Sequence, residues 1–466
     1  MLTLPPAAPE TASTPQAFRD RPLPSFFPRA PKTLDATHLN TILIEDLLLR
    51  TLMQFGSLLG RQLSRELAIP HTLMEPLLAD LKQRMLIVHK SSGQAGDFIY
   101  MLSDIGLERA QKSAEQNSYV GPAPVAFEDY LRGVQSQSIR LEKPGASDLQ
   151  KAFQDLCLDD SMFEVLGPAI NSGRGLFIYG APGNGKTSIA ERICRCFQGH
   201  IYIPKAVLVG GQLIQLYDPQ CHEAIALDTL EAAATDPSNA DKAYDAISMM
   251  QVDQRWIRIK RPVVMVGGEL TLESLEIQYN PLVKMCEAPL QMKANGGVFL
   301  IDDFGRQRVS HEALLNRWIV PLEKRVDFLT LPTGKKIEVP FDTLILFSTN
   351  LNPKDLVDDA FLRRIPYKIH VADPSEAAFR RIFEFMAPRY NVAFDPDMFE
   401  YLLATHYRGK RPFRACQARD ILEQIVNACA YRRQAPVMTP ALLDAACHTY
   451  FAAMGNAPDE AGEGQL

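Results

Sequence analysis

The residues with the clearest chemistry lie in Gly175-Leu-Phe-Ile-Tyr-Gly-Ala-Pro-Gly-Asn-Gly-Lys-Thr187, where Gly180 to Thr187 fits the pattern G-x-x-x-x-G-K-[ST]. Glycines at that spacing let successive backbone N–H groups turn inward around a phosphate, and the helix that follows offers its positive N-terminus to the same anion. Lys186 would reach the β- and γ-phosphates, and Thr187 would present a hydroxyl to Mg²⁺. A second stretch, Gly296-Gly-Val-Phe-Leu-Ile-Asp-Asp-Phe-Gly305, runs four apolar residues into two carboxylates. Asp302 is placed to hold the metal's water shell and Asp303 to polarise an attacking water. A third, Asp342-Thr-Leu-Ile-Leu-Phe-Ser-Thr-Asn350, ends on an amide that would orient that water or touch the γ-phosphate. Arg363 and Arg364 end a helical run, and a guanidinium there can supply charge to a neighbour's γ-phosphate, though arginines at a surface are more often simply solvated.

Positioning these groups requires strands that end beside one another. Leu176 to Tyr179 and Val298 to Ile301 read as buried strands, because each is a short apolar run, and Asp342 to Asn350 reads as a third strand that ends in polar Thr-Asn. After the glycine turn, Ile189, Ile193 and Phe197 fall four apart on one helical face. Strand, loop and helix in that order give an α/β fold with a parallel sheet that delivers its chemistry at the carboxyl ends of the strands. A helical run from Asp148 to Leu166 opens this region.

Composition narrows the alternatives. At 466 residues the chain exceeds one compact core, and ~150 residues per domain suggests about three units. A net charge of −6 argues against a surface devoted to nucleic-acid backbone. No apolar run approaches the ~18 residues that span a bilayer, and eight scattered cysteines suit reduced thiols in the cytoplasm.

Residues 1–34, rich in Pro and Ala, read as a disordered leader. Within 36–117, helical patterns cover Ile42 to Phe55, Leu59 to Ala68 and His71 to Met85, and Leu86 to Leu102 reads as a hairpin. Helix, helix–turn–helix and a two-stranded wing resemble a winged-helix domain. Its third helix sets Glu75 and Asp80 against Lys82 and Arg84, and carries Thr72, Leu73 and Met74 where a reader of the major groove places Arg, Asn or Gln. That census favours docking of a protein over readout of DNA. Residues 118–145 read as a linker that opens with Pro and Gly and carries a short helix around Phe127 to Leu131.

The order of the features from Gly180 through Asp303, Asn350 and Arg364 to a helical C-terminal region resembles the AAA+ ATPases, over about residues 145 to 452. The resemblance implies an α/β P-loop NTPase core at 146–372 and a helical lid at 373–454. It implies ATP and Mg²⁺ as ligands, with Gly180, Pro182, Gly183, Asn184, Gly185, Lys186, Thr187 and Ser188 as Walker A and Asp302 and Asp303 as Walker B. Thr187 and Asp302 would serve the metal. Asn350 would be sensor 1, Arg363 and Arg364 would contain the arginine finger, with Arg364 favoured, and Arg419 would be sensor 2. One departure matters: the family most often has Asp-Glu at Walker B, and Asp303 is shorter by about 1.5 Å, one carbon–carbon bond.

Between Walker B and sensor 1, Val326 to Pro340 alternates about Pro-Thr-Gly and is similar to the pre-sensor-1 hairpin of one AAA+ group. In Gly267 to Met285, Leu275, Ile277 and Tyr279 are candidate grips of a pore loop, and Lys335 and Lys336 lie at the hairpin tip. Asp228 to Met250 reads as an excursion, and 455–466 as a disordered tail. The function expected is an ATPase that assembles with itself into a ring, six subunits by analogy, and remodels a protein client held by residues 36–117 and the pore loop. The alternatives are a DNA-binding regulator or loader, and an adaptor that binds ATP with little turnover.

Overall fold

Leucines at helical spacing build the first unit of the structure, a computed structural model that describes residues 26–92, 97–197, 199–225, 252–356 and 359–452. Helix α1 (Thr41–Phe55) is followed by β1 (Ser57–Leu59), α2 (Gly60–Leu67), α3 (His71–Gln83), β2 (Ile87–Ser92), β3 (Phe98–Leu102) and α4 (Asp104–Gln116). Asn40 starts α1 by accepting the Ile42 N–H at 2.9 Å, satisfying one of the donors a helix end leaves open. Leu47, Leu48, Leu63, Met74, Leu77 and Leu81 meet in one core. The expected hairpin forms antiparallel between β2 and β3, and β1 adds a third strand on the far side of β3. Two arginines of this unit are answered internally: Glu45 receives Arg84 and Arg109 at 2.8 Å each, and Asp46 takes Arg109 at 2.9 Å.

Two expected boundaries change. Residues 26–34 are not structureless: Phe26 lies 5.2 Å from Trp256, Phe27 meets Tyr202 edge-on, and Asp253 N–H donates to Pro28 O at 2.8 Å. Aromatic burial holds this stretch where composition suggested a free leader. Nor is 118–145 a plain linker. It forms β4 (Val125–Ala126) and α5 (Phe127–Ser136). Tyr130 is fully buried there and accepts from Asn295, while Ser138 donates to Asp342 at 2.7 Å. The expected helix from Asp148 to Leu166 is two, α6 (Ala146–Ala152) and α7 (Asp160–Ser172). Phe153 closes the first with its ring buried edge-on against Phe163.

The centre of the molecule is a parallel sheet. Strand β5 (Leu176–Tyr179) leads through the glycine turn into α8 (Lys186–Arg195). After β6 (His200–Pro204), β7 (Ala206–Val209), β8 (Gln212–Gln215) and β9 (Trp256–Lys260), the chain returns to the sheet as β10 (Val263–Val266). Next come β11 (Gln278–Asn280), β12 (Met285–Glu287), α9 (Leu290–Lys293), β13 (Val298–Ile301), α10 (His311–Lys324), β14 (Val326–Thr330), β15 (Lys336–Pro340) and β16 (Leu344–Thr349). Short helices α11 (Pro353–Leu356) and α12 (Asp359–Leu362) precede β17 (Tyr367–His370). The order is β10-β13-β16-β5-β17, every neighbouring pair parallel. Ile301 pairs with Phe347 and Thr349 with Tyr179, so the turns after β5, β13 and β16 emerge side by side. One face is covered by α6, α7 and α8 through Leu149, Leu166 and Ile189, the other by α10 through Leu314 and Trp318. These findings define an α/β P-loop NTPase fold: a parallel sheet flanked by helices with the glycine loop at its carboxyl edge.

A second sheet, order β11-β12-β8-β7-β4, packs with the β6/β9 pair, α5 and the β14/β15 hairpin around Tyr130, Val207, Ile214 and Leu329. The hairpin expected over Val326 to Pro340 forms, with Leu329, Ile337 and Val339 inward and Phe328 outward. The expected grips separate. Leu275 is fully buried and Ile277 is buried, so both are core residues, because a turn at Glu273–Leu275 tucks them under the sheet. Tyr279 is half exposed, and Leu282, at 88% exposure, stands at the tip. That tip touches the end of the first unit: Ser118 Oγ donates to Val283 O at 2.6 Å and Lys284 Nζ to Glu115 O at 2.5 Å.

The C-terminal helices α13 (Glu376–Met386), α14 (Pro396–Leu402), α15 (Ala415–Tyr431) and α16 (Pro440–Phe451) enclose their own core around Phe379, Phe383, Phe399 and Leu422. Among the described residues no helix is long and apolar enough to cross a membrane, and all eight cysteines are unpaired. The expected leader before residue 26, the excursion at 228–250 and the tail at 455–466 lie outside the described residues.

Candidate nucleotide site

The glycine turn is built by contacts that leave no room for side chains at two positions. Gly180 has φ +147°, and a Cβ there would come within 2.3 Å of Val371 O. Gly183 has φ +84°, and its Cβ would meet Cys416 Sγ at 2.6 Å. Glycine resolves both conflicts at once. The turn then hands its backbone to the N-terminus of α8, with Lys186 and Thr187 as the first two helical residues.

Lys186 is 7% exposed. Its ammonium donates to Ala181 O at 2.9 Å and to Asn350 Oδ1 at 2.7 Å. Burial pulls its pKa down, the attraction of Asp302 and Asp303 opposes that, and Arg414 adds to the lowering. Asn350 Nδ2 in turn donates to Asp303 Oδ1 at 3.1 Å, and Thr187 Oγ1 donates to Asp302 Oδ2 at 2.8 Å. The residues picked out from three separate strand ends therefore form one hydrogen-bonded group.

Asp303 sits in the left-handed region at φ +48°, a conformation Asp tolerates better than most residues. Its turn is fastened on several sides. Phe304 N–H donates to Ser348 O at 2.7 Å, Thr349 Oγ1 to Phe304 O at 2.8 Å, and Gln307 Nε2 to the carbonyls of Asp302 and Asp303. The carboxylate thus leaves the sheet from a fixed turn, at the edge of a cleft of about 440 Å³. Pro182 to Ser188 form one wall of this cleft, Asp302, Asp303 and Asn350 the end, and Leu156, Leu158, Ile382, Phe385 and Met386 an apolar flank from both the sheet side and the lid. A phosphate chain fits the glycine end and a flat apolar ring the other.

The oxygens of Thr187 and Asp302 are hard donors of the kind Mg²⁺ takes, with substrate phosphates and water completing its shell. Among the described residues no group of three or more His, Cys, Asp or Glu forms a metal site made by protein alone.

Of the remaining expected residues, Arg419 lines the cleft from α15, with its guanidinium paired to Asp420 at 2.8 Å. Arg363 and Arg364 do not reach this cleft. They lie before β17, at the opposite edge of the sheet, where Arg364 pairs with Glu323 at 2.6 Å. Sequence reasoning missed Arg414 and Asp373. Arg414 precedes α15 and forms an ion pair with Asp373, which also accepts from Asn184 Nδ2 at 2.7 Å. Cys416 N–H donates to Gly183 O at 2.8 Å. The first turn of α15 is thereby tied to the glycine loop, and the only signal in the sequence was a second arginine five residues before Arg419.

Comparison with curated proteins yields no sequence relative. Residues 375–449, in the C-terminal helices, match a family described as a domain of unknown function (DUF8689). The structure is similar to NtrX from Brucella abortus in complex with ATP, at 16% identity and a TM-score of 0.37, covering 68% of this chain and 60% of that one. It is similar to NtrX in complex with ADP at 16% identity and a TM-score of 0.38, covering 76% and 68%. A mutant RuvB from Thermotoga maritima matches at 12% identity and a TM-score of 0.34, covering 67% and 72%. The chain thus spans less than two thirds of the length of the first NtrX structure. The fold assignment rests on the sheet and loop described above.

Proposed function

We propose that this chain is an Mg²⁺-dependent ATP hydrolase of the AAA+ kind that works as a ring and remodels a protein client. The observation that carries the reading is the linked set Lys186–Asn350–Asp303 and Thr187–Asp302 at the carboxyl edge of a parallel sheet. Lys186 and the loop amides would bind the phosphates, with Lys186 exchanging its Asn350 contact for phosphate oxygen. Thr187 and Asp302 would hold Mg²⁺, which supplies positive charge to the phosphates when bound. Asp303, oriented by the Asn350 amide, would accept a proton from water and aim it at the terminal phosphate. The fixed turn around Asp303 supports turnover despite its short side chain, since preorganisation offsets lost reach.

Assembly with further copies is supported by the position of Arg363 and Arg364, too far across the sheet to serve their own loop. Docking of a protein client on residues 36–117 is supported by the charge pairing there: Arg84 and Arg109 are engaged by Glu45, Asp46 and Asp80. Met74, near the start of α3, is buried in the unit's core. The unpaired cysteines suit a reduced, cytoplasmic setting.

ATP turnover by wild type, Lys186→Ala and Asp303→Asn tests the reading. Turnover that falls in both variants, with ATP binding kept in Asp303→Asn, is the expected result. Equal rates in all three proteins would remove the enzyme. Capture with Asp303→Asn in ATP, followed by identification of what is retained, tests the client: nucleic acid in place of protein would move the function to the DNA-directed alternative.

A further inference from the structure

The turn between α2 and α3 faces residues of the second sheet's neighbourhood across a cleft of about 490 Å³. Arg61 and Arg65, one helical turn apart on α2, line it from one side, with His71 at the start of α3. Lys205, between β6 and β7, lines it from the other. The backbone of Lys205 is fixed, because its N–H donates to Arg255 O at 3.0 Å and its carbonyl accepts from the Leu216 and Tyr217 N–H groups at 3.1 and 3.2 Å. Its side chain is half-buried, and burial draws its pKa down against the pull of Glu66. The carboxylates around the cleft are engaged elsewhere or stand off. Asp253, in the lining, takes the Arg255 guanidinium at 2.7 and 3.0 Å. Glu75 pairs with His71 at 3.3 Å, and buried Asp97 accepts the Gly60 and Arg61 amides at 3.2 and 3.0 Å. Glu66, beside Arg65 on α2, attracts Lys205 from beyond contact. Among the described residues no carboxylate lies within ion-pair distance of Arg61, Arg65 or Lys205, and Ala68, Ile69, Pro70 and Val252 line the space between them.

We propose that this cleft docks an acidic peptide of a protein partner, one in which carboxylates alternate with apolar side chains. Arg61, Arg65 and Lys205 take the carboxylates, since guanidinium forks match carboxylate oxygens in pairs and a half-buried ammonium without a partner regains in the complex what it lost in leaving water. The apolar side chains settle on Ile69, Pro70 and Val252, removing further apolar surface from water. A nucleic-acid backbone fits less well, because that apolar lining offers a phosphate nothing and Glu66 stands beside Lys205, where a further phosphate would run. The net charge of the chain is −6, so an acidic peptide is disfavoured over the protein as a whole and this cleft is a local exception that gives docking its place and direction. The proposal rests on the reading above that residues 36–117 receive a protein, and it names the chemistry of what they receive.

The test uses the full-length protein and fluorescein-labelled peptides of equal length that alternate Glu with Leu or Gln with Leu, followed by fluorescence anisotropy. The expected result is that the Glu-Leu peptide binds, weakens with salt, and loses affinity by at least about tenfold in Arg61→Ala/Arg65→Ala and in Lys205→Met protein, while Arg61→Lys/Arg65→Lys keeps part of it. Arg61 and Arg65 are exposed, and thermal melting checks that each variant folds. Lys205 is the one lysine in the lining, so a carbodiimide, which joins a lysine amine to a carboxylate in contact with it, is expected to link the Glu-Leu peptide at Lys205 when the product is mapped by mass spectrometry. No binding, binding indifferent to these changes, a Gln-Leu peptide bound equally well, or displacement of the peptide by duplex DNA overturns the proposal. So does a peptide-free control in which Lys205 is linked to a carboxylate of the protein other than Glu66, since the chain or a second copy then fills the cleft. Capture with Asp303→Asn protein separates the proposal from the reading it rests on. A protein retained equally well after Arg61→Ala/Arg65→Ala overturns the proposal and leaves the reading standing, whereas peptide linked at Lys205 with no protein retained keeps the cleft and removes the client.

Discussion

The two edges of the parallel sheet handle charge in opposite ways. At the carboxyl edge each ionised group has an answer within the chain: Lys186 sits among Asn350, Asp302 and Asp303, and Arg414 faces Asp373. At the amino edge five arginines line a cleft with one carboxylate, Glu323, among them. The first arrangement is preorganised, with side chains already held where a ligand would need them. The second carries more cation than counter-charge. The contrast teaches that a site can be recognised either by a closed network or by a charge left open, and that the two demand different experiments.

Removing the centre of the closed network has the largest expected effect. Lys186→Ala should weaken ATP binding at least 100-fold, about 3 kcal/mol, measured by calorimetry, while the melting temperature holds or rises because a buried charge is gone. Asp303→Asn should lower kcat by about 10²–10⁴ with the Kd for ATP little changed. A parallel loss of binding would mean that Asp303 shapes the loop and does not act on water. On the open side, Arg364→Ala should reduce turnover of the assembled protein while leaving ATP binding by the isolated chain intact. Equal turnover in variant and wild type would strip that edge of any part in the reaction.

Smaller effects sharpen the boundary between scaffold and surface. Leu275→Ala should cost about 2–5 kcal/mol of stability in denaturant unfolding, whereas Leu282→Ala should stay within ~0.5 kcal/mol. If Leu282→Ala proved as costly as Leu275→Ala, the hairpin tip would belong to the core. The smallest expected change is with pH. Burial raises the pKa of Glu45, but hydrogen bonds from Arg84 and Arg109 outweigh it and hold the carboxyl below its ordinary 4.5. A depressed folded pKa gives stability that is present above the ordinary value and lost as pH falls through the folded one. Melting curves should therefore show wild type and Glu45→Gln converging as the solution becomes acidic.

Much of the nucleotide cleft was legible because its signals are local. A glycine turn, a Lys-Thr pair and acids closing an apolar run each sit within a dozen residues, and register then carries them together. The second sheet was not legible. Its strands β4, β7, β8, β11 and β12 are two to four residues long and come from segments as distant as 125 and 287, so no periodicity could reveal their pairing. Leu275 and Ile277 were misplaced for a related reason: three apolar residues in alternation look the same on a loop tip as in a core. Arg414 and the arginine cleft depend on chain segments far apart in sequence, and only the folded backbone shows which of them meet.

The hydrogen bond that the Cys416 amide donates to the Gly183 carbonyl carries a mechanical implication. The four C-terminal helices share one phenylalanine core, and this amide is fixed to that block while its acceptor belongs to the turn that would grasp phosphate. No slack segment intervenes. An outward swing of the block would pull on the turn itself, so occupancy at one end and tilt at the other would be geared together through this bond and the Asn184–Asp373–Arg414 link.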